Sequence, residues 1–280
     1  MCMGFGCNAV GVVGCRIIDS KRERLIAMLT NVFSPCNGRF PTLIALISVF
    51  LISSEQVGSS FLSALVLSGV IVVSIITTLI CSKLLSLTLL RGTPSSFTLE
   101  LPPYRRPEFL KLIIRSVFDR TLLVLGRSVA FAAPAGIVLW ILANVNIFGQ
   151  SLLVYVSQAL DPVGGCLGMD GAILLAFILA LPANEIFIPI VLMIYSAGGV
   201  LTDYSSISQL SSILSANGWT LVTAICVILF TVFHFPCATT LLTVKKETGS
   251  LKWTFLAAVL PTAVGVVLCL AVYLLSKLFA

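Results

Sequence analysis

Charged side chains are scarce in this chain. They make up 10% of its 280 residues, against about 25% in a soluble globular domain. So few ionic groups cannot cover a water-facing surface, which excludes a soluble protein. Histidine is scarcer still, with a single residue, His234. One histidine leaves little room for enzyme chemistry. No Ser/His/Asp set, no H-E-x-x-H and no G-x-x-x-x-G-K-[ST] phosphate loop is present. CxxC pairs are missing too. The nine cysteines are scattered singly, mostly in or beside apolar segments, which argues against a disulfide framework. The start, "MCMGFGCNAVGVVGC", has no positive stretch ahead of its apolar run. It is therefore not a secretory signal and reads as the interior of something longer.

What the chain has in abundance is continuous apolar sequence. It is 58% hydrophobic, with a mean hydropathy of +1.11. Strict alternation, the mark of an outer-membrane barrel, is absent. The fold class is therefore all-α: a polytopic transmembrane helical bundle with broken or re-entrant helices. The net charge of +6 bears on orientation rather than on nucleic acid, because cytoplasmic loops collect Lys and Arg.

Residues 41–54 and 61–82 read as two spans joined by "SEQVGS". Residues 91–120 read as a basic cytoplasmic linker, amphipathic and helical from about Glu108, lying at the membrane interface. Residues 121–145, 220–242 and 254–279 read as further spans, and 146–170 and 198–219 as polar connections free of Lys and Arg. Basic loops near 16–24, 91–120 and 243–252 go to one side. The second and third of these then enclose three apolar segments, and an even number of crossings is needed. The segment 171–197, broken by Pro182 and Pro189, is the one expected to re-enter rather than cross. The alternative is one kinked crossing, with 243–252 on the other side.

The same segment carries chemistry. Glu185 stands in an apolar run beside Asn184, where a carboxylate costs roughly 2.5–3.5 kcal/mol on insertion scales. Such a group faces water, a bound cation or a partner charge, and helices broken by proline expose carbonyls that suit a cation. In "LFTVFHFPCATTLL", His234 and Cys237 are three residues apart with Pro236 between them. On a helix they share a face, and imidazole with thiolate suits iron, zinc or copper rather than calcium or magnesium. Pro236 is expected to turn backbone carbonyls inward. Cys7-Asn8 and Cys36-Asn37 form a weak internal echo, each in a helix-breaking context. The remaining cysteines, with Met3, Met28 and Met193, read as packing.

Three stretches carry a family resemblance. "GFGCNAV…CRIIDSKRERLIAMLTNVFSPCNGRFP" resembles the first Gate region of the bacterial ferrous iron transport protein B (FeoB) family. "LELPPYRRPEFLKLIIRSVFDR" resembles its linker, and "HFPCATTLLTVKKETGSLKWT" its C-terminal signature. The resemblance implies three parts. These are a first Gate region with two spans over 1–90, the linker over 91–120, and a second Gate region with the C-terminal helices over 121–280. It implies Fe²⁺ uptake across the bacterial cytoplasmic (inner) membrane, with no permanently bound cofactor. Cys7 and Cys36 would line the iron path, and "LPANEIFIPI", with Asn184 and Glu185, would be the second Gate. With His234 and Cys237, these residues make up the candidate metal path. The family's GTPase domain is expected in cis or in trans as a separate partner, so that GTP acts only through that domain. The lipid bilayer is the other partner, homo-oligomerisation stays open, and no nucleic acid is expected. Two rivals remain: a Gate-fold transporter of another solute such as a nucleoside, and a non-transporting subunit or inactive fragment.

Overall fold

In the computed structural model the described residues are 2–50, 59–92, 108–116, 118, 122–147, 150–196, 201, 203–204 and 206–279. Most of the 91–120 linker, the Glu-Leu-Pro-Pro-Tyr-Arg segment included, and the 54–58 part of the first turn lie outside them. Fourteen helices are described. They are α1 (Cys2–Gly6), α2 (Asn8–Gly14), α3 (Lys21–Asn31), α4 (Phe40–Phe50), α5 (Ser59–Leu87), α6 (Phe109–Ser116) and α7 (Leu123–Asn144). The remainder are α8 (Leu152–Cys166), α9 (Gly171–Leu179), α10 (Phe187–Tyr195), α11 (Ile207–Ala216), α12 (Leu221–Phe233), α13 (Ala238–Thr248) and α14 (Leu251–Phe279). Among the described residues the strands amount to one antiparallel pair, Asn146–Ile147 with Gln150–Ser151. Among the described residues three stretches are long and apolar enough to cross a bilayer: Phe61–Leu87, Leu221–Thr248 and Leu251–Leu278. The α8–α9 pair, bent by 108°, is a fourth if taken as one. The protein is a multi-pass, all-helical membrane bundle.

Two regions expected to be plain connections hold helices. In 146–170, Ser151 accepts from the Val154 N–H and starts α8, which absorbs Pro162. In 198–219, Ser206 caps α11 through the Gln209 N–H. Their Gly, Pro and Ser content gave the loop reading, and the caps are what overrode it. The amphipathic helix of the linker is α6, whose Phe109, Leu110, Ile113 and Ile114 are all exposed.

The segment 171–197 does not run as one kinked helix. Asp170, which caps α9, accepts a 2.5 Å hydrogen bond from the Tyr195 hydroxyl at the end of α10. Twenty-five residues of straight helix would hold them roughly 37 Å apart. The chain therefore folds back, and Phe177 stacks on Phe187 across the turn at 4.2 Å. The Trp219 indole donates to the same Tyr195 hydroxyl and stacks on Phe50 at the end of α4. These contacts gather one end of the bundle. The opposite end is basic. There Arg16 pairs with Glu247, whose carboxylate holds the Arg16 pKa up, and Arg22 reaches Ser86 and the Leu90 carbonyl at the end of α5. Lys245 and Lys246 finish α13 at this end.

Tracing between these ends shows a repeat of opposite direction. The first unit is a hairpin (α1, α2), a span broken at Cys36 (α3, α4) and a long helix, α5. The second is a hairpin (α9, α10), a span broken at Cys237 (α12, α13) and a long helix, α14. Met3 Sδ lies against Gly14, which shows α1 and α2 folding back on each other. Each long helix packs along both halves of its broken span. The first broken span leaves the basic end and the second arrives there. Sequence and backbone agree on the pairing. Pro35-Cys36 matches Pro236-Cys237, with φ/ψ of −83°/167° and −59°/156°. Cys7-Asn8 matches Ala183-Asn184, with −152°/124° and −149°/115°. The expected echo of Cys7-Asn8 in Cys36-Asn37 is therefore corrected. A hairpin tip matches the other hairpin tip, and a broken span matches the other broken span.

Candidate functional site

The outward helix starts are capped by side chains: Ser20 on α3, Asp170 on α9 and Thr220 on α12. The helical segments that start at Cys7, Cys36, Ala183 and Cys237 have no side-chain cap. Helix starts leave N–H groups without intrahelical partners, so these four breaks bring backbone donors with no side-chain cap into the interior. Three of the four place a thiol there.

The breaks touch one another. A 3-10 turn, Asn37–Arg39, follows Cys36, and another, Asn184–Ile186, follows Ala183; the two pack together. A Cβ on Gly38 would sit 3.2 Å from the Glu185 side chain, so the missing side chain makes room for the carboxylate. The Ala238 N–H donates to the Leu181 carbonyl, joining the Cys237 break to the second hairpin tip. Cys237 is within electrostatic reach of both Cys7 and Cys36, and its Sγ lies 3.2 Å from Thr240 Oγ1. The three thiols are half-buried. Among the described residues, no group of three or more His, Cys, Asp or Glu is placed to hold a metal ion together.

The two hairpin asparagines differ. With its amide nitrogen turned inward, Asn8 donates to the carbonyls of Gly4, Ser34 and Asn31, which binds the first tip to the end of α3. Asn184 is 9% exposed and its Oδ1 accepts nothing. A buried acceptor without a donor is costly and is what a passing cation can use. Glu185, expected at bilayer depth, lies on the turn with an exposed side chain.

His234 and Cys237 do not share a helix face, which corrects the helical-spacing expectation. His234 ends α12, Cys237 precedes α13, and both are extended. Pro236 lacks an N–H and pushes the residue before it out of the helical region, so the helix stops. His234 is 2% exposed and ringed by Phe177, Phe230 and Phe235, at centroid distances of 5.0, 6.0 and 5.2 Å. Its Nδ1 faces two carbonyls, Thr231 at 2.9 Å and Phe230 at 3.0 Å. Two acceptors require the hydrogen on Nδ1, which leaves the lone pair on Nε2.

The carbonyls freed by Pro236 do not point into an open path either. Arg39, 0% exposed, donates to Val232, His234 and Phe235 at 2.8, 3.2 and 3.5 Å, and to Val32 at 3.4 Å. Sequence reasoning passed over Arg39. The signal was there, an arginine inside an apolar segment, where ionisable residues are rare and functional. Asn31 was also missed. It sits against Gly4 and Gly11, whose absent side chains admit its amide, and it donates to the Asn8 carbonyl.

Residues 60–120 match the family described as ferrous iron transport protein B C terminus. Residues 126–251 match the Gate family, described as nucleoside recognition. The Fe(2+) transporter FeoB of Staphylococcus aureus (strain MSSA476) is 29% identical over all of this chain and 40% of its own length. That of Campylobacter jejuni is 26% identical over 90% of this chain and 41% of its own. That of Methanocaldococcus jannaschii is 26% identical over 99% and 41%. The chain thus spans about two fifths of the length of the curated relatives it matches. It resembles the C-terminal portion of these transporters throughout. No solved structure matches it.

Proposed function

We propose that this chain forms the path by which Fe²⁺ crosses the bacterial cytoplasmic membrane, with its basic end on the cytoplasmic side. One observation carries the reading. Four uncapped helix breaks from two opposed repeats meet, three begin with cysteine, and the fourth offers Asn184 and Glu185. Fe²⁺ must shed water to pass a narrow path, and thiolates, a carboxylate and an amide oxygen replace that water. A cysteine that binds iron gives up its proton to do so. The donors are spread out rather than gathered in one ligand sphere, which suits conduction, since each site must also let go. Cys7, Cys36, Cys237, Asn184 and Glu185 supply the donors. His234 fixes the shape of the turn that presents Cys237.

The chain does no chemistry of its own in this reading. Nucleotide hydrolysis belongs to a GTPase domain, in cis or in trans, and this fits the two-fifths coverage of the FeoB relatives. The Gate description as nucleoside recognition favours a second reading, transport of a nucleoside. A nucleoside needs hydrogen-bonding walls. A cavity of about 560 Å³, lined by Ile178, Leu181, Phe235, Leu241 and neighbours from α14, is almost wholly apolar. The ferrous reading is therefore preferred.

The test is radiolabelled Fe²⁺ uptake under reducing conditions, in cells lacking their own ferrous transporters. The chain is expressed alone and with a family GTPase half. Uptake that falls in Cys36→Ser and Cys237→Ser supports the path. Inserted protein that takes up no iron in either setting, or uptake indifferent to all three thiols, defeats it.

A further inference from the structure

Arg39 presents a problem that the ferrous path sharpens. It is a fully buried cation beside the thiols that would take another cation, within electrostatic reach of both Cys36 and Cys237. Among the described residues no carboxylate pairs with it, and its Nε has no hydrogen-bond partner. An ordinary structural arginine would be paired or would reach water. This one is held by carbonyl oxygens alone.

Those carbonyls belong to two helix ends. Val32 ends α3, the first half of one broken span, and Val232, His234 and Phe235 end α12, the first half of the other. Helix C-termini carry partial negative charge. Half-helix ends and unwound carbonyls at the meeting of two opposed repeats are where transporters of this architecture coordinate cations. The guanidinium therefore sits where a cation would. Nor is it repeated. Three residues after Cys36 stands Arg39, and three residues after Cys237 stands Thr240, neutral and fully buried.

We propose that the Arg39 side chain is a tethered cation, filling the cation position between the two repeats in this conformation. Iron passes when the guanidinium withdraws. While it stays, its charge repels Fe²⁺ from Cys36 and Cys237 and its donors occupy the carbonyls. The protein thus has a closed state whose plug is its own side chain, which gives a nucleotide-driven partner something to release. This deepens the ferrous-path reading and rests on it.

The test is basal Fe²⁺ flux into proteoliposomes holding the full chain, under reducing conditions and without nucleotide or GTPase half. Arg39→Met and Arg39→Gln remove the charge, and Arg39→Lys keeps it. Both neutral variants are expected to raise basal flux by about ten-fold or more, with the lysine variant within about two-fold of wild type. Guanidinium ion added in solution should block the methionine variant's leak. Neutral variants that are monodisperse yet as tight as wild type overturn the proposal. So does a lysine variant that leaks as much as the methionine one, which would make Arg39 a matter of packing. If the neutral variants fail to fold, labelling of Cys36 in the wild type decides. An anionic methanethiosulfonate reagent should react about ten-fold faster than a cationic one of the same size, and equal rates refute the plug. Wild-type flux with the GTPase half present separates the two ideas. No flux there sinks the ferrous path and the plug with it, whereas flux there with tight neutral variants sinks the plug alone.

Discussion

His234→Ala should cost stability, and His234→Asn should return part of it without costing transport. The alanine variant empties the space between Phe177, Phe230 and Phe235 and removes the Nδ1 hydrogen shared by the Phe230 and Thr231 carbonyls. Truncation of a buried side chain of this size costs about 2–5 kcal/mol. The lost hydrogen bond alone accounts for about 1 kcal/mol of that. At roughly 2 °C per kcal/mol for a chain of this length, a mid-range loss lowers Tm by about 7 °C. Asparagine places its amide nitrogen near the position of Nδ1 and recovers that bond, so its loss should be about 5 °C by the same conversion. Glutamine is one methylene longer and imitates Nε2 instead, so it should melt close to the alanine variant.

The assay is Tm in detergent together with Fe²⁺ uptake per inserted molecule. A histidine that only shapes the turn leaves His234→Asn uptake near wild type once insertion is normalised. Uptake that collapses about ten-fold in the asparagine variant while Tm moves little would refute this, because only Nε2 has then been lost and Nε2 would be a ligand.

Glu185→Gln should cut uptake by about ten-fold with little change in Tm, since its side chain is exposed and makes no ion pair among the described residues; uptake at the wild-type rate would remove Glu185 from the path. Asn184→Leu keeps the volume and deletes an acceptor that nothing satisfies. It should leave Tm unchanged or raise it by about 2 °C while transport falls, and a large drop in Tm would show that the amide is structural. Gly171→Ala should prevent normal folding. Its Cβ would stand 1.9 Å from the Ser157 carbonyl oxygen and 2.6 Å from the Asp161 nitrogen, both backbone atoms that cannot turn aside. Membrane yield and thermal stability at wild-type levels would mean that α8 and α9 do not pack as described.

Membrane class, the long helices and the fold-back of 171–197 were legible in the sequence, because hydropathy and proline are read directly from residue type. Glu185, Asn184 and the cysteines were legible for the same reason: a polar group in an apolar run is conspicuous. What sequence could not supply was partnership across long separations. His234 was conspicuous, yet its carbonyl partners and aromatic ring appear only once the chain is folded. Arg39 bonds to residues nearly two hundred positions away, and no local pattern encodes that. The polar connections hid α8 and α11 because Ser151 and Ser206 read as loop residues until they are seen as caps.

The repeat explains why the thiols stand where they do. A broken helix inside a bilayer is tolerated only where its freed backbone groups find partners or line a wet cavity. Two opposed copies bring the breaks to the same depth from opposite ends, so one copy's freed groups can meet the other's. Arg39 of the first unit serves the carbonyls of the second unit's α12. The Ala238 N–H at the second broken span serves the Leu181 carbonyl at the second hairpin tip. Near-equivalence of this kind would make two similar halves, each able to bind a cation weakly. The differences between the copies are therefore where direction and control can enter. Cys7 corresponds to Ala183 in the other repeat, and Arg39 to Thr240, so one half carries an extra thiol and a fixed positive charge that the other lacks. On the proposed path a dication would meet unequal sites in the two halves, and the charge that distinguishes them is that of the Arg39 side chain.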